Sequence, residues 1–306
     1  MDNMQKIPVF FTFDANYLLA AKVAIHSMMK HASRQYWYEL YVFHTTLSPK
    51  AQQSLRNSLK EFTHTELHFI DVTQYNEKIK NFGTKAHYSK EIFYKLIATD
   101  VLPQYDRIIC SDVDVVFTGD FSPVFFMFPN EKFYYAGVGP VENSRMPYYR
   151  KDFSTTEMEI LEHEIAAGFL LINLKELRND HKQEEIINFY VNNYPRLRLP
   201  EQDCIILTCW PYIKYLPIDY SLPISFYRLN MNQRDFYQGN TEFAGDKATA
   251  LAKFNKGLAH PVQIHYAGFD KPWNCFRLTR RQDWIKAMKS TREEWYYTSN
   301  RYRGIY

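Results

Sequence analysis

The sequence predicts an α/β fold with a mostly parallel central sheet covered by helices on both faces. Three observations predict it. Strand-like and helix-like patterns alternate from Ile7 onward; the strands are short, near-continuous apolar runs; and several of them stop abruptly on Asp or Asn. Strands separated by helices are joined by crossovers and so run parallel, and a parallel strand is buried on both faces. With 306 residues and 46% hydrophobic content, the chain can bury a full core as one large domain, or a domain with an appendage.

Taken in order, Ile7 to Phe13 reads as the first strand. Asp14-Ala15-Asn16 turns into a helix that runs to about Ala32, with Leu18, Leu19, Val23 and Met28 among its apolar positions. A strand follows near Tyr38 to Phe43, then a helix with Ser48 as N-cap and Pro49 at its first position, then a strand from Leu67 to Ile70 ending at Asp71. A helix from Ser89, with Ile92, Phe93, Leu96 and Ile97 on one face, leads into the apolar run Arg107 to Phe117, read as a single strand carrying Asp112 and Asp114. Phe133 to Val138 and Gly168 to Ile172 read as later strands. Between them, Gly139 to Glu164 is polar, with Tyr148, Tyr149 and Arg150 at its centre, and is either a lid or a surface excursion. A helix from Leu174 to about Asn193, a short helix beginning near Glu201 and a strand from Pro261 to Tyr266 complete the order.

In such sheets ligands sit beyond the carboxyl ends of the strands, so Asp14, Asn16, Asp112 and Asp114 are expected around one cleft. Two carboxylates one residue apart at a strand end need a cation, and hard divalent ions take oxygen ligands. A second element is His265-Tyr266-Ala267-Gly268-Phe269-Asp270-Lys271-Pro272-Trp273. Its histidine can offer a neutral imidazole to a metal, and its lysine a cation to a phosphate. Two Asp, one His and phosphate oxygens would suit a diphosphate bridged to a divalent ion, with Lys271 stabilising charge on the leaving group.

Composition narrows the classes. The four cysteines, Cys110, Cys204, Cys209 and Cys275, have neither zinc-site pairing nor the density of a disulfide scaffold, so a reducing compartment is expected. Met1 to Lys6 show no basic region followed by a long apolar stretch, so no signal peptide is expected. No window of about 18 apolar residues suits a membrane span. The net charge of +3 gives no reason to expect a nucleic-acid partner. The basic excess is terminal: residues 271–306 hold nine Lys/Arg against three Asp/Glu, leaving the first 270 residues at −3. With Trp273, Phe276, Trp284, Trp295, Tyr296, Tyr297, Tyr302 and Tyr306, this stretch has the mixture expected on an anionic membrane surface, or of a solvated capping helix.

Phe13-Asp14-Ala15-Asn16-Tyr17, Ser111-Asp112-Val113-Asp114, Ala167-Gly168-Phe169-Leu170-Leu171-Ile172-Asn173-Leu174, and His265-Tyr266-Ala267-Gly268 followed by Lys271-Pro272-Trp273 stand in order along the chain. Together they resemble the motifs of glycosyltransferase family 8, which includes bacterial lipopolysaccharide α-galactosyl- and α-glucosyltransferases and the glycogenins. The resemblance implies a GT-A, Rossmann-like nucleotide-sugar transferase fold over residues 1–270, while charge and aromatic content set residues 271–306 apart as a short basic helical extension. It implies retaining transfer of galactose or glucose from a UDP-sugar to a glycan, glycolipid or glycoprotein acceptor, with Mn²⁺ and a cytoplasmic location, peripheral on the inner face of a membrane if the tail binds it. Carried onto this chain, Asp112, Asp114 and His265 would hold manganese. Thr12, Asp14, Asn16, Lys95, Asp112, Ala167, Gly168, Gly268 and Lys271 would meet the UDP-sugar.

Two positions depart from the family pattern. Ala166 stands where an Asn or Ser side chain is usual, and Glu201-Gln202 where Asp-Gln is usual. A retaining glycosidase needs two carboxylates about 5 Å apart, whereas the best carboxylates here are committed to metal. The expectation is therefore a front-face displacement in which Gln202 stabilises an oxocarbenium-like sugar, Glu201 binds its hydroxyls and Lys271 assists the leaving group. Two other readings compete: a haloacid-dehalogenase-type phosphatase, whose Asp-x-Asp normally opens the domain and for which Gly245-Asp246-Lys247 lacks a matching downstream acidic pair, and a sugar-nucleotide-binding module without catalysis.

Overall fold

A computed structural model of the chain describes residues 4–80, 89–142 and 151–291. Its described strands are β1 (Lys6–Thr12), β2 (Trp37–His44), β3 (Thr65–Asp71), β4 (Arg107–Ser111), β5 (Val115–Phe117), β6 (Tyr135–Val138), β7 (Phe169–Asn173), β8 (Ile213–Leu216), β9 (Leu222–Pro223) and β10 (Gln263–His265). They form a seven-stranded sheet, β3-β2-β1-β4-β7-β6-β8, and a three-stranded sheet, β5-β10-β9. In the large sheet β7 pairs antiparallel with both neighbours while every other pairing is parallel. The expected mostly parallel α/β sheet is therefore what forms.

The apolar runs are continuous because each strand faces two cores. On β1, Ile7, Val9 and Phe11 enter one cluster and Phe10 the other; on β4, Ile109 opposes Ile108 and Cys110; on β7, Phe169 and Leu171 oppose Leu170 and Ile172. This is the two-residue alternation of a strand with both sides dry. Helix α1 (Leu18–His31) buries Val23, Ile25 and Met28 in the first cluster. Helix α2 (Pro49–Ser58) starts at Ser48, whose hydroxyl accepts from the Ala51 N–H.

Three expectations change. The run from Arg107 to Phe117 is two strands in two sheets, broken at Asp112–Asp114. Charged carboxylates have no place inside a dry ladder, so the chain leaves the large sheet there and crosses to β10. The segment after Ser89 is a tight 3-10 helix over Lys90–Ile97, followed by one α turn at Ala98–Val101. It is buried on most sides, so packing sets its winding. The Leu174–Asn193 helix is two helices, because His181 adopts a left-handed conformation, φ 51°. The bend lets Leu174 and Leu177 of one piece and Ile186, Ile187 and Tyr190 of the other reach the same core.

Helix α3 (Thr155–Leu161) lies within the polar Gly139–Glu164 segment and begins with a reciprocal Ser154–Glu157 capping box. Tyr148, Tyr149 and Arg150 lie outside the described residues. The two pieces of the broken helix are α4 (Leu174–Asn179) and α5 (Lys182–Asn193); α6 (Pro200–Cys209), α7 (Lys247–Ala259) and α8 (Arg281–Ser290) follow. Helix α8 packs on α1, and Trp284 and Trp273 join the first core cluster. Those two rings are core, not surface anchors. The other tail aromatics named above, except the exposed Phe276, lie outside the described residues. No helix among the described residues is long and apolar enough to cross a membrane, and all four cysteines are free.

Candidate active site

The crossing from β4 to β5 is held by the backbone on both sides. The Asp112 N–H donates to Gly168 O at 2.9 Å, continuing the β4–β7 ladder by one residue, and the Tyr266 N–H donates to Asp114 O at 2.9 Å. His265 ends β10 opposite Val115. Three chain segments distant in sequence thus bring Asp112, Asp114 and His265 together, with one ligand atom of each within 4.8 Å of the others. Gly168 is part of this arrangement: a Cβ there would lie 2.4 Å from His265 Cε1 and 2.5 Å from its Nδ1. Only a glycine leaves room for the imidazole.

Two lysines orient the carboxylates. Lys271 Nζ lies 2.5 Å from Asp114 Oδ2 and donates to Tyr266 O at 2.9 Å; Lys95 Nζ lies 2.6 Å from Asp112 Oδ1. Each lysine takes one carboxylate oxygen and leaves the other facing the histidine: His265 Nε2 is 3.3 Å from Asp114 Oδ1 and 3.6 Å from Asp112 Oδ2. Burial would raise the Asp114 carboxyl, but Lys271 and His265 together hold it well below the usual carboxylate range. Two convergent carboxylate oxygens and an imidazole nitrogen suit a divalent ion such as Mn²⁺. By the chemistry of the donor set and its closeness, these residues fit one.

Lys95 is 2% exposed and does not line the cleft. Its three protons go to Asp112 Oδ1, Glu201 Oε1 at 3.2 Å and Ala167 O at 3.1 Å, which leaves none for a ligand in this arrangement. Burial works against its charge, yet Asp112 and Glu201 raise its pKa above the ordinary lysine value. Burial pushes the Glu201 carboxyl up, with Lys95 opposing.

The cleft beyond the carboxylates has a volume of about 490 Å³. Thr12, Asp14, Asp112, Asp114, Ala167, Gly168, Glu201, Gln202, His265, Gly268 and Lys271 all line it. Of the residues expected from sequence, Asn16 and Lys95 do not. Asn16 is exposed, its N–H and side-chain amide holding Asp14 at 2.9 and 3.3 Å. Gly268 has φ +97°, a backbone conformation that suits glycine, on the turn between His265 and Lys271. Gln202 bridges the Ala167 N–H and the Glu164 carboxylate.

Sequence reasoning missed Tyr17, Glu91 and Glu164, which also line the cleft. Tyr17 stands edge-on to Trp273 with ring centroids 5.8 Å apart, and burial followed by Asp114 raises its phenol. Its place directly after Asp14-Ala15-Asn16 was a usable signal. Glu91 sits in a helix that reads as apolar packing, and Glu164 at the end of a weakly patterned segment, so neither carried one. Asp246, which the phosphatase reading would need as an acid, caps α7 by accepting from the Thr249 N–H at 2.9 Å.

The chain is similar to known proteins over most of its length. The family model described as glycosyl transferase family 8 matches residues 8–276. The lipopolysaccharide 1,2-glucosyltransferase of Escherichia coli is 22% identical over 283 residues, covering 90% of this chain and 75% of that protein. Among solved structures, the WbbM bifunctional glycosyltransferase superposes with a TM-score of 0.72 at 21% identity, covering 94% of this chain and 50% of that one. The galactosyltransferase LgtC, solved with donor and acceptor sugar analogs, superposes with a TM-score of 0.68 at 16% identity, covering 93% and 96%. These likenesses place the fold in the GT-A class.

Proposed function

The chain belongs to glycosyltransferase family 8, and from that premise we propose that it transfers galactose or glucose from a UDP-sugar to a glycan-bearing acceptor with retention of anomeric configuration. The single observation that carries this reading is the convergence of Asp112, Asp114 and His265 beside Lys271 in one cleft. A site that only bound sugar would have no need of so much charge compensation at a leaving group. The choice between the two hexoses rests on the names of the glucosyltransferase and galactosyltransferase that the chain resembles.

In this reading Asp112, Asp114 and His265 hold Mn²⁺, which when bound neutralises charge developing on the diphosphate. Lys271 stabilises the departing β-phosphate, and Gly268 lets the backbone approach it. Asp14 and Thr12 border the nucleoside. The bond from the sugar's anomeric carbon to the β-phosphate oxygen breaks, and a bond from the same carbon to the acceptor oxygen forms on the same face. The acceptor's proton passes to the released phosphate oxygen. Gln202 faces the oxocarbenium-like sugar, and Glu201, held by Lys95, meets its hydroxyls.

The acceptor in this reading is a glycan on lipid or protein at the inner face of a membrane. The basic, aromatic residues 292–306 supply the contact, and liposome binding that survives their deletion would remove that part of the reading. The main test is UDP release from a panel of UDP-sugars with Mn²⁺, with and without EDTA. Metal-dependent release is expected, and binding without it would favour a non-catalytic module. Gln202→Ala should lower kcat at least about tenfold with both substrates saturating; near-normal turnover would refute the role given to Gln202.

A further inference from the structure

We infer that Glu164 sets the orientation of the Gln202 amide, and with it the polarity that the sugar end of the cleft presents; this rests on the transferase reading above. A glutamine amide has an oxygen and a nitrogen of nearly equal size, and only its partners decide which way it faces. The Ala167 N–H can only donate, so Gln202 Oε1 faces it, at 3.3 Å. A Glu164 carboxylate can only accept, so Gln202 Nε2 faces it, at 2.6 Å. The two partners agree, but they are unequal. The bond to Ala167 is long, whereas the bond to Glu164 is short and assisted by charge, so Glu164 is the stronger determinant.

Both ends of this contact are fixed by the backbone. The Ala166 N–H donates to Val138 O at 2.8 Å, which ties the segment carrying Glu164 to the end of β6. Gln202 lies in the first turn of α6, whose start is held by fully buried Asp203, accepting from the Arg198 and Leu199 N–H groups at 2.6 and 2.9 Å. Both Glu164 and Gln202 line the cleft, so the contact is made at its wall. Gln202 lines the cleft, and the Ala167 bond uses only one of the two Oε1 lone pairs, so the second stays available to a group bound there. Oxygen presented there stabilises a developing positive sugar, while a flipped amide would present N–H hydrogens and oppose it. Glu164 is thus a positioning residue, acting through Gln202.

The test is steady-state kinetics of the full chain with Mn²⁺ and its UDP-hexose, combined in a double-mutant cycle. Glu164→Ala should lower kcat about tenfold, with the donor KM and the UDP Kd within about threefold of wild type. Glu164→Gln, whose carbonyl can accept the same hydrogen bond, should recover most of the loss. On a Gln202→Ala background, Glu164→Ala should cost nothing further, because the orientation it controls is gone. Glu164→Met serves the same purpose should the alanine variant fail to fold. Multiplicative effects of Glu164→Ala and Gln202→Ala, a Gln variant as damaged as the Ala variant, or an unchanged kcat would each overturn the inference alone. A wild-type chain that releases no UDP from any UDP-sugar would overturn the transferase reading and this inference with it.

Discussion

Lys95→Met is the sharpest test of how the cleft is built. The substitution keeps the length and apolar stem of the side chain and removes only the charge and its three hydrogen bonds. At an effective dielectric of about 20, the contacts at 2.6 Å to Asp112 and 3.2 Å to Glu201 correspond to gross attractions of roughly 6 and 5 kcal/mol. Much of that offsets the cost of burying the charges, so the measured loss should be about 3–5 kcal/mol, as for other buried pairs broken on one side. Urea unfolding should report it as a lower midpoint at unchanged slope, and thermal unfolding as a drop of roughly 5–8 °C. Replacing Glu201 as well, in Lys95→Met/Glu201→Met, should recover at least half of the loss, since the stranded carboxylate is removed. A single-variant cost below about 1 kcal/mol, or a double variant no better than the single, would refute the view that a buried ion network holds Asp112.

Gly168→Ala should displace the His265 imidazole, because a Cβ 2.4 Å from the ring leaves no contact distance. The expected result is at least about tenfold weaker Mn²⁺ affinity by isothermal titration, alongside an overpacking cost of about 1–3 kcal/mol in unfolding; unchanged affinity would mean that His265 is not a ligand. Glu242 tests pH dependence away from the cleft. Burial, opposed by the Ile218 N–H and reinforced by Asp219, pushes its carboxyl up to about 7. A folded pKa raised above the unfolded value of about 4.3 stabilises below that value, and the stabilisation is lost as pH rises towards 7. Wild type should therefore lose on the order of 2 kcal/mol more than Glu242→Gln between pH 4.5 and pH 8, and parallel stability curves for the two would refute it. Trp284→Ala should cost about 3–5 kcal/mol, since the ring is fully buried between α8 and the first core cluster; a loss under about 1 kcal/mol would show α8 to be dispensable.

By itself the sequence determined the succession of strands from β1 to β4 along the chain, the α/β class and the residues at the strand ends. Apolar runs such as Val9 to Phe11 and Ile108 to Cys110 have one low-energy outcome, a doubly buried strand, and the Asp or Asn that ends each must surface at the same edge. Asp112, Asp114, His265 and Lys271 were legible because each sits on such a boundary or on a glycine-containing turn next to it. What the sequence could not carry was anything set by contacts between distant segments. The break of the 107–117 run across two sheets depends on pairing with β7 and β10, which lie more than 50 and 140 residues away. The two-residue β9 has no pattern of its own. The family resemblance puts Lys95 at the UDP-sugar, and only tertiary packing buries it behind the cleft, between Asp112 and Glu201. Glu164 gains its role in the same way. Periodicity reports how a segment meets water, whereas a hydrogen-bond partner is chosen only when the chain closes on itself, so the cleft was visible in sequence but its wiring was decided by the fold.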